Sequence, residues 1–294
     1  MYPPAFDYVV PRTRDEALAL LNEHGADAKI IAGGQSLIPL LRLRFAAPAL
    51  LVDINWLPDL CGVAESSQSL VIGALTRHAD ILISRSAQAA CPILVDAASQ
   101  IADPQVRNLG TIGGALAHAD PEGDWASVML ALRAEVSIAS TTGLRIVPMR
   151  TFLESMFTTA VQPTELVTSV RIPKPRGRSG GAYLKLSRKV GDFAAVGVAV
   201  SLNIEERGRL RRQTRIAEAG IALTAVAPVN TVVEAAEEVL RDQVPTPELF
   251  AHAADIAASA VSPHADSRGS TEYKQAVVRA YVRRGLHRAL ESAA

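Results

Sequence analysis

Two short glycine motifs in the first half of the chain have residue types that suit phosphate binding. The first joins a predicted strand to a predicted helix and comprises Ala32, Gly33, Gly34, Gln35, Ser36 and Leu37. The second comprises Thr111, Ile112, Gly113, Gly114 and Ala115. Glycine lets backbone N–H groups approach a ligand closely, and a helix N-terminus adds partial positive charge. Either motif alone is compatible with an ordinary turn, but two in one domain predict a site that grips both ends of a pyrophosphate.

An acidic segment follows the second motif. His118, Asp120, Glu122 and Asp124 are close in sequence, so a metal site must be considered. The segment has only one histidine, however, and a turn plus a helix cap explains Asp120 and Asp124 equally well. We therefore predict no metal site, and we expect the Asp124 carboxylate to accept hydrogen bonds from a ligand ribose.

The elements that position these motifs belong to a mixed α and β domain. Thr13 and Glu16 have capping-box spacing at the start of an early helix. Apolar spacing predicts one helix over Ala87–Ile101, and Gly143 marks a hairpin. Asp103–Asp124 is rich in Gly, Asp and Pro and predicts a long irregular segment, which is unusual unless it is functional.

A second domain is predicted after a linker rich in Pro, Gly and Arg over residues 173–181. The predicted boundaries are 1–176, with lobes of about 1–55 and 56–176, and 177–294. Beyond the linker, strand-like apolar runs precede three helical segments. The strands are Ala182–Leu186, Phe193–Ile204 and Ala217–Thr224, and the helices are Thr231–Arg241, Pro247–Ala260 and Glu272–Leu290. Three strands followed by three helices describe a small α+β layer.

Composition excludes several classes of function. The 294 residues are 49% hydrophobic, and 30 basic residues balance 30 acidic ones, so no basic excess is present to neutralise a nucleic-acid backbone. Two cysteines, Cys61 and Cys91, are too few for an iron–sulfur cluster or a disulfide framework. We see no signal peptide and no apolar run long enough to span a bilayer, so the predicted location is the cytoplasm.

The two glycine motifs, with Ala119-Asp120-Pro121 after the second, resemble the flavoprotein (medium) subunits of molybdenum hydroxylases. This family includes aerobic carbon monoxide dehydrogenase and, as a fused domain, xanthine dehydrogenase. The resemblance covers essentially the whole chain. It implies an α+β protein with a two-lobed FAD-binding domain of the vanillyl-alcohol-oxidase type, followed by a smaller α+β domain.

The resemblance also implies roles for individual residues. Ala32–Ser36 and Thr111–Ala115 would wrap the FAD pyrophosphate through backbone amides, and Asp124 would bind ribityl or ribose hydroxyls. Val167 would offer backbone contacts to the flavin, and Lys185 would contact the cofactor from the second domain. The alternatives are that Val167 is an ordinary strand residue and Lys185 a solvated lysine at a sheet edge.

Three positions depart from the family pattern. Ala115 stands where the family commonly has Asn, which removes a side-chain hydrogen bond but leaves backbone contacts. Phe193 replaces a common Tyr, so an aromatic ring near the flavin remains without its hydroxyl. Gln35 stands where relatives often have His, which leaves no nucleophile for covalent attachment and implies non-covalent FAD.

The function implied is that of an FAD-carrying electron-transfer subunit. The resemblance implies a large partner with the molybdenum cofactor and a small partner with two [2Fe-2S] clusters, assembled as a dimer of heterotrimers. No catalytic acid or base is predicted in this chain. Two alternatives stay open: a self-sufficient FAD-dependent oxidoreductase of the same fold, and a flavin-free scaffold subunit. The substrate of the complex and its electron acceptor are not specified by the sequence.

Overall fold

The computed structural model describes residues 2–175, 177–207 and 213–293. The chain begins with a small parallel sheet of order β1-β3-β2, which contains β1 (Asp7–Val9), β2 (Ala28–Ile31) and β3 (Leu50–Asp53). Helices α1 (Arg14–His24) and α2 (Leu37–Leu43) connect its strands. As predicted, the Thr13 hydroxyl caps α1 by accepting from the Glu16 N–H. The first glycine motif lies directly between β2 and α2.

A five-stranded antiparallel sheet of order β4-β5-β10-β6-β7 follows. Its strands are β4 (Val63–Glu65), β5 (Ser69–Gly73), β6 (Glu135–Ser140), β7 (Gly143–Pro148) and β10 (Leu166–Pro173). The predicted hairpin at Gly143 is confirmed as the β6–β7 connection. A separate two-stranded hairpin contains β8 (Leu153–Ser155) and β9 (Thr158–Thr159) and is preceded by the short helix α9 (Met149–Phe152).

Six short helices lie between β5 and β6. They are α3 (His78–Ile83), α4 (Arg85–Ala90), α5 (Ile93–Gln100), α6 (Pro104–Leu109), α7 (Ile112–His118) and α8 (Asp124–Ala131). The prediction of a single helix over Ala87–Ile101 was wrong, since this segment contains two helices, α4 and α5. The helix is interrupted because Pro92 lacks an N–H and disfavours helical geometry at Cys91.

The segment predicted as irregular, Asp103–Asp124, contains two helices. The Asp103 carboxylate caps α6 by accepting from the Val106 N–H at 2.8 Å, and the Thr111 hydroxyl caps α7 by accepting from the Gly114 N–H at 3.2 Å. Local caps therefore override a composition typical of loops. Asp124 is not the cap of α8 but its first residue, after Gly123.

The C-terminal domain is an antiparallel sheet covered by helices. Its strands are β11 (Arg178–Leu186), β12 (Val196–Arg207), β13 (Gln213–Thr224) and β14 (Thr231–Val232), and its helices are α10 (Glu234–Leu240), α11 (Pro247–Ser259) and α12 (Thr271–Ser292). The three predicted strands are present. A two-residue fourth strand is added, because the start of the predicted helix Thr231–Arg241 pairs with β13 instead.

The two domains pack closely. The backbone of α8 lies against β12 and β13, where the Ser201 hydroxyl donates to the Ala131 carbonyl at 2.7 Å. Arg133 and Arg150 of the first domain both donate to Glu237 of the second, whose side chain is only 5% exposed. Within the described ranges, no helix combines the length and apolar character needed to cross a membrane.

Candidate cofactor site

The first glycine motif is a loop of unused backbone donors. Gly34 has a φ of +73°, a conformation that favours glycine, and it turns the chain sharply between β2 and α2. The N–H groups of four consecutive residues, Gly33 to Ser36, donate to no acceptor among the described residues. None of the four residues is buried, so this row of N–H groups is accessible to an anion.

The second motif is different, because most of its amides already have acceptors. Ile112 N–H donates to the Thr76 carbonyl at 3.1 Å and Gly113 N–H to the Ala74 carbonyl at 2.9 Å. Gly114 and Ala115 donate to Thr111 itself. Only the Thr111 N–H and hydroxyl proton have no acceptor in the described part of the chain. The expectation that both loops offer a run of free amides is therefore met by the first loop alone.

The two loops are nevertheless in direct contact. A Cβ atom on Gly33 would overlap the Leu109 carbonyl and lie 2.9 Å from the Gly110 Cα atom. Position 33 must therefore be glycine, because Leu109 and Gly110 leave no room for a side chain. The exposed Gly114 and the half-buried Ala115 lie at the open surface of that loop. The first glycine motif therefore packs against the residues that lead into the second.

A buried network of three side chains lies where α8 meets β11. The Asp124 carboxylate accepts from the Tyr183 hydroxyl at 2.5 Å and from the Lys185 ammonium at 2.9 Å, and Lys185 also donates to the Gln100 carbonyl at 3.1 Å. The Lys185 and Asp124 side chains are 4% and 6% exposed, so the alternative of a solvated edge lysine is wrong. Lys185 thus links the second domain to Asp124 and Gln100 of the first, and its predicted contact with the cofactor stays a prediction.

The electrostatics of this network follow from its burial. Burial raises the pKa of the Asp124 carboxyl above its usual value, while the neighbouring Lys185 charge and the hydrogen bonds from Tyr183 and Lys185 act in the opposite direction. Burial is the largest effect that raises the pKa of Tyr183 well above 10, and the negative charge of Asp124 is the next largest. Tyr183 is consequently a neutral donor at physiological pH.

The other predicted residues occupy three different settings. Asp120 has a local role, since its side chain accepts from the Glu122 N–H at 2.9 Å in a tight turn. Val167 is 6% exposed in β10, next to Thr168, whose carbonyl accepts from the Ala74 N–H. Phe193 is 55% exposed in the loop between β11 and β12.

The Phe193 loop is nevertheless tied to the site. Arg268 donates to the Ala194 carbonyl and to the Glu122 carboxylate, both at 2.8 Å. These two bonds hold the segment that carries Phe193 beside the turn that follows the second glycine motif.

Two residues of the site were missed by sequence reasoning. Tyr183 lies two positions before Lys185, on the same face of β11, and its hydroxyl donates to Asp124. The two-residue period of a strand would have identified it as a neighbour of Lys185. His78 lies behind the second loop, where its Nδ1 atom accepts from the Trp125 indole at 3.0 Å. Burial lowers the pKa of His78 to about 4, so it is neutral there. No local pattern marks that residue.

These features define a class of protein. A row of free N–H groups suits the oxygens of a diphosphate. The residues present therefore fit the diphosphate of a dinucleotide cofactor.

Comparison with known proteins identifies the cofactor and the family. Residues 4–175 match the FAD binding domain in molybdopterin dehydrogenase, and residues 181–289 match the carbon monoxide dehydrogenase flavoprotein C-terminal domain. The chain belongs to the family of FAD-binding medium subunits of molybdenum hydroxylases. The predicted family, fold class and cofactor are thereby confirmed.

Individual relatives match along nearly their whole length. The 6-hydroxypseudooxynicotine dehydrogenase complex subunit alpha of Paenarthrobacter nicotinovorans is 43% identical, over 100% of this chain and 97% of that protein. The carbon monoxide dehydrogenase medium chain of Hydrogenophaga pseudoflava is 39% identical, over 98% of each protein. A solved structure of carbon monoxide dehydrogenase from Hydrogenophaga pseudoflava superposes with a TM-score of 0.92 at 40% identity and covers 100% of both chains.

Proposed function

We propose that this chain is the electron-transfer subunit of a three-component molybdenum hydroxylase. A bound FAD would supply the redox chemistry. Electrons from an iron–sulfur subunit would reach an external acceptor through this FAD. A large subunit would hold the molybdenum cofactor and the substrate, and a small subunit two [2Fe-2S] clusters. The proposed assembly is a dimer of heterotrimers in the cytoplasm. The sequence has two cysteines, too few to hold a cluster of its own, which supports this division of tasks.

The row of free amides at Gly33–Ser36 is the observation that carries the proposal. We assign these four N–H groups and the Thr111 N–H and hydroxyl to the FAD diphosphate. Leu37 would border the first loop, Ile112 and Gly113 would fix the second loop in place, and Gly114 and Ala115 would form its exposed wall.

We assign the remaining residues to the rest of the cofactor. Asp124 would accept hydrogen bonds from ribityl or ribose hydroxyls, and Lys185 would orient Asp124 and contact the cofactor from the second domain. Val167 would line the flavin portion and Phe193 would cover the ring, while Asp120 would shape the turn between them. Gln35 offers no nucleophile, so the cofactor is held without a covalent bond.

The proposed domain arrangement follows the linker composition. We place the FAD-binding domain at 1–176, with lobes of about 1–55 and 56–176, and the C-terminal domain at 177–294. Position 176 itself lies outside the described residues.

The test is purification of this chain through its own tag after co-expression with its neighbouring subunits. We expect acid-released FAD together with iron and molybdenum in one chromatographic peak. FAD without the metals would support a self-sufficient flavoenzyme instead. A chain without flavin, even after incubation with excess FAD, would refute the cofactor assignment and indicate a scaffold.

A further inference from the structure

A continuous set of polar contacts joins the first sheet to the Leu109 carbonyl, two residues before the second glycine motif. The Tyr8 hydroxyl donates to one oxygen of the buried Asp53 carboxylate, and the Asn55 backbone and side-chain N–H groups donate to the other at 2.9 and 2.7 Å. The Asn55 side-chain oxygen accepts from Arg77 at 2.7 Å, and Arg77 in turn donates to the Leu109 carbonyl. We call Asn55 and Arg77 the anchoring pair.

Asn55 holds the peptide group at the start of the first loop. Its side-chain N–H₂ donates to the Ala32 carbonyl at 2.7 Å as well as to Asp53. The orientation of the amide is fixed, because a flipped Asn55 would direct N–H groups at Arg77 and an oxygen at Asp53. In a trans peptide the carbonyl and the next N–H point in opposite directions. An Ala32 carbonyl fixed toward Asn55 therefore directs the free Gly33 N–H away from it.

The second loop is oriented by different groups. Arg77 holds the Leu109 carbonyl through its guanidinium, and the Gly110 N–H of that same peptide group already donates to the Val106 carbonyl at 2.7 Å. The backbone N–H of His78, the residue after Arg77, donates to the Gly110 carbonyl at 3.1 Å. The Gly110 carbonyl and the Thr111 N–H belong to one peptide group. The Thr111 N–H, which has no acceptor in the described ranges, is thus directed away from His78.

We propose that Asn55 and Arg77 are positioning residues: Asn55 sets the direction of the free Gly33 N–H, and Arg77 sets the spacing between the first loop and the Leu109 carbonyl against which that loop packs. The proposal rests on our assignment of these loops to the FAD diphosphate. Gly33 packs directly against the Leu109 carbonyl. Loss of the Arg77 hydrogen bond to that carbonyl would therefore shift the surface on which the first loop packs. Neither side chain of the pair needs to touch the cofactor for its affinity to depend on them.

The experiment measures the FAD dissociation constant of the full chain by fluorescence titration of the apoprotein, together with the unfolding midpoint of that apoprotein. We expect Arg77→Ala and Asn55→Ala each to weaken FAD binding about tenfold, which is the effect of about 1.4 kcal/mol. The double variant should be no more than about threefold weaker than the worse single variant, because the two side chains act as one unit.

Two conservative variants and one control keep the result interpretable. Asn55→Asp keeps an acceptor for Arg77 but loses the donor to Ala32, and Arg77→Lys keeps the charge but lacks the guanidinium fork, so both should still weaken binding. Arg107→Ala removes an arginine that also binds backbone carbonyls, those of Ile101 and Ala102, but it lies within one lobe and should change FAD affinity less than about twofold.

The outcomes separate the two proposals. Weakened binding by the conservative variants, with an apoprotein as stable as Arg107→Ala, supports the positioning role, including where the alanine variants fail to fold. FAD affinity within about twofold of the wild type in both conservative variants would overturn it. A wild-type chain that binds no FAD would overturn the assignment of the loops themselves.

Discussion

Removal of the Lys185 charge tests whether the network around Asp124 is held together by a buried ion pair. Lys185→Met keeps the length of the side chain and leaves the Asp124 carboxylate, 6% exposed, with Tyr183 as its remaining side-chain partner. Breaking a buried ion pair on one side costs about 3–5 kcal/mol, because the remaining charge is neither solvated nor neutralised. We expect the free energy of unfolding to fall by that amount at pH 7.

A double-mutant cycle isolates the interaction. Asp124→Asn keeps an oxygen that accepts from Tyr183 but removes the charge. Addition of this change to Lys185→Met should recover stability, so that the double variant loses about 2 kcal/mol less than the sum of the two single variants. The assay is urea unfolding of the apoprotein followed by the fluorescence of Trp125, which is 2% exposed and adjacent to Asp124.

The pH dependence has a defined sign. Burial already raises the pKa of Asp124 above its unfolded value, and loss of Lys185 raises it further. The folded variant then binds more protons than the unfolded chain, so its stability falls as pH rises above the unfolded pKa of about 4. The deficit of Lys185→Met relative to the wild type should therefore be smaller at pH 5 than at pH 7.5. A deficit below about 1 kcal/mol at pH 7.5, or one that grows in acid, would refute the reasoning.

Two further predictions concern the loop contact and the domain interface. Gly33→Ala should weaken FAD binding at least about tenfold, because its Cβ atom would push the second loop away; Gly25→Ala, with a φ of +53° and open space around it, should cost about 1 kcal/mol of stability without changing FAD affinity. Equal FAD titrations for the two variants would contradict the contact. Glu237→Ala should cost about 2–4 kcal/mol in urea unfolding, because it removes a buried acceptor of Arg150. Glu234→Ala, which removes a 78% exposed partner of Arg150, should cost less than about 1 kcal/mol, and a comparable loss for both would show that burial at the interface is not decisive.

Features encoded by neighbouring residues were predictable from the sequence. The Thr13 cap, the hairpin at Gly143 and the first glycine motif between a strand and a helix are local patterns, and all three keep their expected places in the structure. The helices inside Asp103–Asp124 were missed although Asp103 followed by Pro is a strong helix start. The Gly- and Asp-rich composition of the segment is typical of loops, but the Asp103 cap starts a helix there.

Features that depend on distant residues were not predictable in this way. Asn55 and Arg77 are 22 residues apart, and no spacing rule connects a loop residue after β3 to the residue before α3. The partnership of Asp124 with Lys185 spans 61 residues and two domains. The resemblance implies that both residues contact the cofactor, but only the structure shows that the Lys185 ammonium donates to the Asp124 carboxylate.

The unequal use of the two glycine motifs shows why sequence alone overestimates a phosphate site. In letters the motifs are alike, since each has paired glycines and a hydroxyl residue. A glycine lets a ligand approach the backbone closely, but its N–H can bind that ligand only if it does not already donate to a carbonyl of the protein. In the second motif, Ala74 and Thr76 supply two such carbonyls, whereas Gly33–Ser36 meets none in the described ranges. The first loop therefore carries most of the free donors, whereas the second has only those of Thr111, and the residues before it pack against Gly33.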